Sequence, residues 1–188
     1  MKKLVMALTA VACAATVQAA SIKWNVNSIY GVDSTGVGQT ASSSRPKAGQ
    51  YYVLCMLESA MSLTDAQAAL SKGNISDIAA KATFQGTTTG TGAYASTLYD
   101  GDWPGDATVG LYVVILNADT IAGATYAVAS ADITSYTFTD AAEEKSLSLN
   151  MKTTTQGTWT AIGDAPEPTS GLLVLVGLAG LALRRRRA

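Results

Sequence analysis

Hydrophobic and polar residues along the middle of the chain form several short patterns that are typical of strands. Strict alternation indicates a strand buried on one face, and a continuous apolar run bounded by turn residues indicates a central strand. Residues 50–57 and Val109–Leu116 are apolar runs, so we expect two central strands there. Alternating or weaker patterns predict the other strands: Ile22–Val26, Thr125–Ala131, Ser135–Thr139, Ser146–Lys152 and Thr158–Ile162.

One segment between the two central strands has a helical pattern instead. Thr64, followed three residues later by Gln67, is a start of the capping-box type. Gly73 suits the left-handed position that ends a helix, and a second short helix is expected from Asn74. Residues 64–82 are therefore predicted to be a helical hairpin inserted between strands.

The strands lie close together and are separated by Gly, Asp and Asn turns, which favours antiparallel connections over crossovers through helices. We predict a mainly β fold, an antiparallel β-sandwich of about seven strands with this small helical hairpin. Two segments rich in Ser, Thr and Gly, Asp33–Gly49 and Gly86–Gly92, are predicted to be surface loops. Their hydroxyl groups are candidates for O-linked glycans in an exported protein.

The first residues have the three parts of a secretory signal peptide. Two lysines precede the apolar run Leu4–Ala15, and small residues then mark a cleavage site between Ala19 and Ala20. The apolar run is too short to span a bilayer as a helix. Processing as a lipoprotein at Cys13 is the alternative, although the residues before Cys13 make a poor lipobox.

The last residues have an order of their own. A turn containing Pro166, Glu167 and Pro168 precedes the apolar run Gly171–Leu183, which is predicted to be helical. At about 1.5 Å per residue this run covers roughly 20 Å, less than the roughly 30 Å hydrocarbon core, so it suits a transient insertion better than a permanent anchor. The chain ends in a basic cluster that would remain cytoplasmic, formed by Arg184, Arg185, Arg186 and Arg187.

A proline-glutamate-proline turn, a short apolar helix and a terminal basic cluster together resemble the PEP-CTERM sorting domain. The resemblance covers residues 166–188. It implies recognition by an exosortase, a membrane cysteine peptidase that would remove the tail near Pro166–Pro168, after a signal peptidase has removed residues 1–19. Proteins with this signal are often linked to exopolysaccharide, biofilm or other surface structures in Gram-negative bacteria. An ordinary tail anchor with a proline hinge is the alternative.

Removing both ends changes the charge of the chain. The full 188 residues carry a net charge of −1, whereas residues 20–165 contain seven basic and thirteen acidic residues, a net charge of −6. This segment is long enough for one domain with its own core. Its lysines are scattered, and binding to phosphate backbones needs clustered Lys and Arg, so we do not expect it to bind nucleic acid.

The composition also limits the chemistry. Histidine is absent, which removes the commonest general base, the Ser-His-Asp and Cys-His arrangements, and most zinc sites. After loss of the leader Cys55 is the one cysteine, so an internal disulfide cannot form. Cys55 lies in an apolar run and is predicted to be buried. We therefore do not expect an enzyme.

One acidic cluster remains as candidate chemistry. Asp100, Asp102 and Asp106 lie within seven residues, and oxygen ligands on a tight turn suit calcium. The match to a calcium loop is incomplete, because a proline and a leucine occupy two of its ligand positions. A solvated turn and a carboxylate pair for glycoside hydrolysis are the alternatives. Trp103, beside these carboxylates, is the best candidate for contact with a ligand such as a sugar ring.

These features predict an exported structural or interaction protein of the cell surface or extracellular matrix. A carbohydrate- or calcium-binding adhesin module that uses Asp100, Asp102, Trp103 and Asp106 is the second hypothesis. A polysaccharide-acting enzyme is the third.

Overall fold

The structure is a computed structural model, and it describes residues 20–152 and 156–162. The described strands are β1 (Ala20–Asn27), β2 (Tyr52–Leu57), β3 (Phe84–Thr87), β4 (Tyr94–Ala95), β5 (Tyr99–Trp103), β6 (Thr108–Leu116), β7 (Tyr126–Ala129), β8 (Thr134–Thr137), β9 (Glu144–Asn150) and β10 (Thr160–Ala161). The helices are α1 (Leu63–Ser71), α2 (Ile75–Ala79) and a 3-10 turn at Ser42–Ser44. The predicted signal peptide and the predicted sorting tail, with Ala19, Pro166–Pro168 and the four arginines, lie outside the described residues.

Over the described residues, the larger sheet has six strands and every pairing in it is antiparallel. β2 pairs with β6 from Tyr52 opposite Leu116 to Leu57 opposite Leu111, and β3 lies on the other side of β2. The far side of β6 is shared, because β8 pairs with its first half and β7 with its second half. β10 then pairs with β7. The two predicted central strands are confirmed, and both are apolar on two faces because both faces are covered.

In the part of the chain that the structure describes, the smaller sheet has four strands, with β1 at its centre. β4 and β5 follow one another along one side of β1 and are antiparallel to it. β9 pairs with the other side from Ser21 opposite Glu144 to Asn27 opposite Asn150, and this pairing is parallel. The prediction of a wholly antiparallel sandwich is therefore wrong for this pair of strands. The outer face of β1 and β9 is polar, and Asn25 Nδ2 donates to Ser146 Oγ across it at 2.5 Å.

The two sheets and the helices form three layers with a core on each side of the larger sheet. Trp24, Val113 and Leu149 belong to the core between the sheets, which we call the inter-sheet core. Met56 and Leu70 belong to the core between the larger sheet and the helices, which we call the helix-side core. The helical hairpin predicted at residues 64–82 therefore covers a sheet face that would otherwise be exposed.

The C-terminal end of α1 agrees with the prediction, and its N-terminal end differs from it. Gly73, at φ +75°, follows the last residues of α1, and the N–H of Asn74 donates to the Ala69 carbonyl as in a Schellman motif. The N-terminal cap is Ser62 rather than Thr64, because the Ser62 Oγ accepts the Asp65 N–H at 3.0 Å. The capping prediction was thus two residues too late.

The count of about seven strands is too low for the described residues. All seven predicted strands are present, and the three additional ones are β3, β4 and β5. β3 takes up part of the predicted loop Gly86–Gly92, and β5 contains most of the acidic cluster. Both segments lack a run of apolar residues, and they become strands because a longer neighbour pairs with them.

Candidate functional site

The acidic cluster begins on strand β5 rather than in an isolated loop. Side chains alternate along it, so that Tyr99 and Trp103 are half-buried while Asp100 and Asp102 are exposed. Asp106 is exposed in the turn that joins β5 to β6. The strand thus turns its aromatic residues toward the inter-sheet core and its carboxylates toward solvent.

A bulge separates the two halves of this strand. Trp103 pairs with Ala20, whereas Asp100 pairs with Ser21, so Gly101 and Asp102 are additional residues opposite β1. Asp102 lies at φ +52°, in the left-handed region that Asp and Asn tolerate better than most residues. The conformation of Asp102 therefore has a structural explanation that does not depend on a ligand.

Trp103 is held by two aromatic neighbours. Its ring stacks on Phe138 with 5.3 Å between centroids and meets the Tyr99 ring edge-on at 5.8 Å. A Cβ atom on Gly101 would lie 2.3 Å from the Trp103 ring, so the ring lies directly over this glycine. Contact of Trp103 with a ligand stays a prediction, restricted to the part of the ring that remains exposed.

The three carboxylates do not form a cation site as they stand. Over residues 20–152 and 156–162, no three His, Cys, Asp or Glu side chains come close enough together to hold a metal ion. Calcium usually takes six to eight oxygen ligands. Binding at Asp100, Asp102 and Asp106 stays a prediction, and it would require the turn to rearrange around the ion.

A second polar cluster, which the sequence pattern did not reveal, lies beyond Phe138. Tyr136 Oη donates a hydrogen bond to Glu143 Oε1, while Glu143 Oε2 accepts from the N–H of Thr139 at 2.9 Å and from its Oγ1 at 3.0 Å. The Lys145 Nζ lies 4.7 Å from the centre of the Tyr136 ring. The bonds from Thr139 and then Tyr136 hold the pKa of Glu143 below its ordinary value. These contacts fix the turn that leads into β9.

Cys55 is fully buried in the inter-sheet core, as predicted. Burial raises the pKa of its thiol, because the thiolate would lose its hydration there. The protonated thiol behaves as a small apolar side chain.

Two hollows lie beside residues 156–160, close to the end of the described chain. No sequence motif indicated them. The helix hollow, of about 250 Å³, is lined by Gln67, Leu70, Ala129, Gly157, Thr158 and Thr160. The loop hollow, of about 230 Å³, is lined by Gly38, Gln39, Thr40, Gln156, Gly157 and Trp159. Gly157 belongs to both hollows. Its N–H donates to the Ala129 carbonyl at 3.0 Å, and an added Cβ would lie 2.6 Å from that oxygen, so only glycine fits there.

The polar side chains of the loop hollow are held in place by their neighbours. Gln39 Nε2 donates to Asp33 Oδ2 at 3.0 Å and to the Val37 carbonyl at 3.2 Å. With its amide oriented to satisfy both neighbours, Gln156 accepts from Trp159 Nε1 at 2.8 Å and donates to the Met151 carbonyl at 3.2 Å. Two of the side chains that line the hollow therefore have hydrogen-bond partners that set their orientation.

The end of the described chain is anchored in both cores. We call Gln156–Ile162 the C-terminal strap. Trp159 enters the inter-sheet core and meets Tyr51 edge-on at 5.9 Å. Ile162 enters the helix-side core, and its N–H donates to the Thr125 carbonyl at 2.8 Å. The residues that follow the strap begin at this anchored point.

The similarity of the chain to known proteins lies in these residues. Residues 164–187 match the PEP-CTERM protein-sorting motif. The resemblance stated from Pro166–Pro168, the apolar run and the arginines is thereby confirmed. The motif implies an exported protein of the cell surface that an exosortase sorts and processes.

The PEP-CTERM motif accounts for the tail and leaves residues 20–162 without a matching family. Neither the curated proteins nor the solved structures contain a significant match to the chain. Within the described residues, no helix has the length and apolar character needed to cross a membrane.

Proposed function

We propose that the domain is a non-enzymatic structural or interaction module, displayed at the cell surface or in the extracellular matrix after the sorting tail has been removed. The observation that carries this proposal is the PEP-CTERM motif directly after the anchored strap. Three residues separate Ile162 from Pro166, so the folded domain reaches almost to the expected processing site.

The titratable groups support a structural role. Perturbed pKa values tend to cluster at functional sites. In the part of the chain that the structure describes, the carboxylates with lowered pKa values, Asp33 and Glu143, each accept hydrogen bonds within a turn. Burial raises the pKa values of Tyr51, Tyr94, Tyr112 and Cys55. Packing and turn formation explain these shifts without catalysis.

The topology also gives the displayed domain an orientation. Ala20 pairs with Trp103, and the following turn leads to the start of β6, whereas Ile162 bonds to Thr125 near the end of β6. β6 has nine residues, which span roughly 30 Å. The acidic turn therefore lies at the opposite end of β6 from Ile162, the last described residue.

Mass spectrometry of the protein from surface and medium fractions, with and without the exosortase, tests the proposal. We expect a mature form that begins near Ala20 and ends near Pro166–Pro168, and an unprocessed tail in the strain without the enzyme. Replacing Pro166, Glu167 and Pro168 by alanine should have the same effect as loss of the enzyme. An extracellular form that retains Arg184–Arg187 would contradict the proposal.

A further inference from the structure

We infer that the two hollows joined at Gly157 form a binding groove for a neutral polysaccharide, with one sugar ring in each hollow. This inference rests on the proposed function as an interaction module and names the chemistry of its partner. The first observation is the absence of charge. Among the residues that the structure describes, those that line the helix hollow and the loop hollow include no ionisable side chain, although residues 20–165 carry a net charge of −6.

The second observation is the kind of polar group that the groove offers. Gln67, Thr158 and Thr160 line the helix hollow, and Gln39, Thr40 and Gln156 line the loop hollow. Hydroxyl and amide groups both donate and accept hydrogen bonds, as the hydroxyls of a neutral sugar do. An anionic polymer would find no basic side chain among the described residues that line the groove.

The third observation is that neighbouring groups already hold part of this lining. The side-chain amide of Gln39 donates hydrogen bonds to Asp33 and to the Val37 carbonyl. Its side-chain oxygen remains as an acceptor for a ligand. Gln156 is held by Trp159 and Met151 and offers its second amide hydrogen as a donor. Side chains fixed in this way lose little conformational freedom when a ligand binds.

Size and shape favour sugar rings over a folded partner. Each hollow, at about 250 and 230 Å³, is smaller than the roughly 300–1,000 Å³ of pockets for drug-sized ligands, so each suits one ring. Gly157 lines both hollows, so two linked rings would lie on either side of this one residue. A peptide strand would instead need apolar pockets for alternate side chains, and Leu70 and Trp159 are both almost fully buried.

The test uses the full chain in a detergent that contains no sugar. Neutral hexasaccharides derived from dextran and from cellulose, an anionic uronic-acid hexasaccharide and a neutral hexapeptide are titrated while the tryptophan indole N–H resonances are recorded. We expect a neutral hexasaccharide to bind and to shift the Trp159 indole signal. Thr40→Lys and Thr158→Lys, at exposed positions of the two hollows, should weaken binding by about ten-fold or more, because they add a charge and a long side chain.

Ser148→Lys, on the exposed face of β9, is the matched control and should bind like the original chain. Gln67→Ala removes one amide from an exposed helix position and keeps the test valid if a lysine variant fails to fold. The inference is overturned if no neutral hexasaccharide binds at millimolar concentration, if the hollow variants bind as the control does, or if the anionic sugar or the peptide binds in their place. Processing of the tail is measured separately, so loss of binding and loss of sorting are distinguishable.

Discussion

Ser96 forms hydrogen bonds with both the backbone N–H and the backbone carbonyl of Trp24. The Ser96 Oγ accepts the Trp24 N–H at 2.9 Å, and the Ser96 N–H donates to the Trp24 carbonyl at 3.0 Å. Ser130 has the same relationship to Val113 in the other sheet, with distances of 3.3 and 2.9 Å. Each serine lies where the strand beside a central strand is interrupted, so its side chain replaces the missing backbone acceptor.

We predict that Ser96→Ala lowers the free energy of unfolding by about 1–3 kcal/mol, because it leaves the buried Trp24 N–H without an acceptor. Ser130→Ala should have a similar effect through Val113. Chemical denaturation measures both. Ser148→Ala, on an exposed position of β9, is the control and should stay within about 0.5 kcal/mol of the original chain. Equal stability of all three variants would show that these bonds contribute nothing.

Because Asp102 lies in the bulge, its contribution to stability can be measured separately from calcium binding. Asp102→Val should destabilise the fold by about 1–2 kcal/mol, since a β-branched residue resists the left-handed conformation at φ +52°. Asp102→Gly and Asp102→Asn should be close to neutral, because both residues adopt this conformation readily. Thermal unfolding in a calcium-free buffer measures these effects.

The same variants test the predicted calcium site. If calcium binds at Asp100, Asp102 and Asp106, added calcium will raise the melting temperature and Asp102→Asn will remove the rise. Magnesium at the same concentration is the control for general ionic effects. An unchanged melting temperature in saturating calcium would contradict the site.

The Glu143 cluster predicts part of the acid sensitivity of the fold. Its hydrogen bonds hold the folded-state pKa below the ordinary value of 4.5, so the stabilisation is present above pH 4.5 and is lost as the pH falls toward the folded-state pKa. Glu143→Gln should therefore flatten the decline in the denaturation midpoint below pH 4.5. The neighbouring variant Glu144→Gln, at an exposed position, is the control. A decline that is equally steep in both variants would exclude the cluster as its source.

Trp24 has a polar atom that the core leaves unsatisfied. The side chain is fully buried, and its Nε1 has no hydrogen-bond partner among the described residues. Trp24→Ala should cost about 3–5 kcal/mol, because it leaves a large cavity. Trp24→Phe should cost clearly less, since both variants remove the unpaired N–H but only Phe keeps a ring against Phe84 and leaves a smaller cavity. Equal losses for the two variants would show that a ring at this position contributes nothing to the core.

The sequence predicted those parts of the fold that depend on burial. β2 and β6 are apolar on both faces, and α1 ends where Gly73 permits a left-handed residue, so local patterns were sufficient. The parallel pairing of β1 with β9 was not predictable in this way. Asn25 and Ser146 lie 121 positions apart, and alternation shows which face of a strand is buried without showing which strand lies beside it.

The candidate site was predictable to a smaller extent for the same reason. Asp100, Asp102 and Asp106 stood out by composition, but the position of Trp103 depends on Phe138, which no local pattern connects to it. The hollows at Gly157 bring together α1, the loop at Gly38 and the strap, and their Gln and Thr residues are common on any surface. A groove made of ordinary residues becomes visible only after the chain has folded.

The C-terminal strap restricts where the sorting tail can be removed. Trp159 is 7% exposed and Ile162 is 5% exposed, and they belong to the two different cores. Ile162→Ala should cost about 2–5 kcal/mol, whereas Ala161→Ser, at an exposed neighbouring position, should be close to neutral. Because loss of the strap would open both cores, we predict that the stable mature protein retains Ile162 and that its C-terminus lies beyond it. Intact mass measurement of the exported protein locates this end, and a stable form that stops before Trp159 would refute the structural role of the strap.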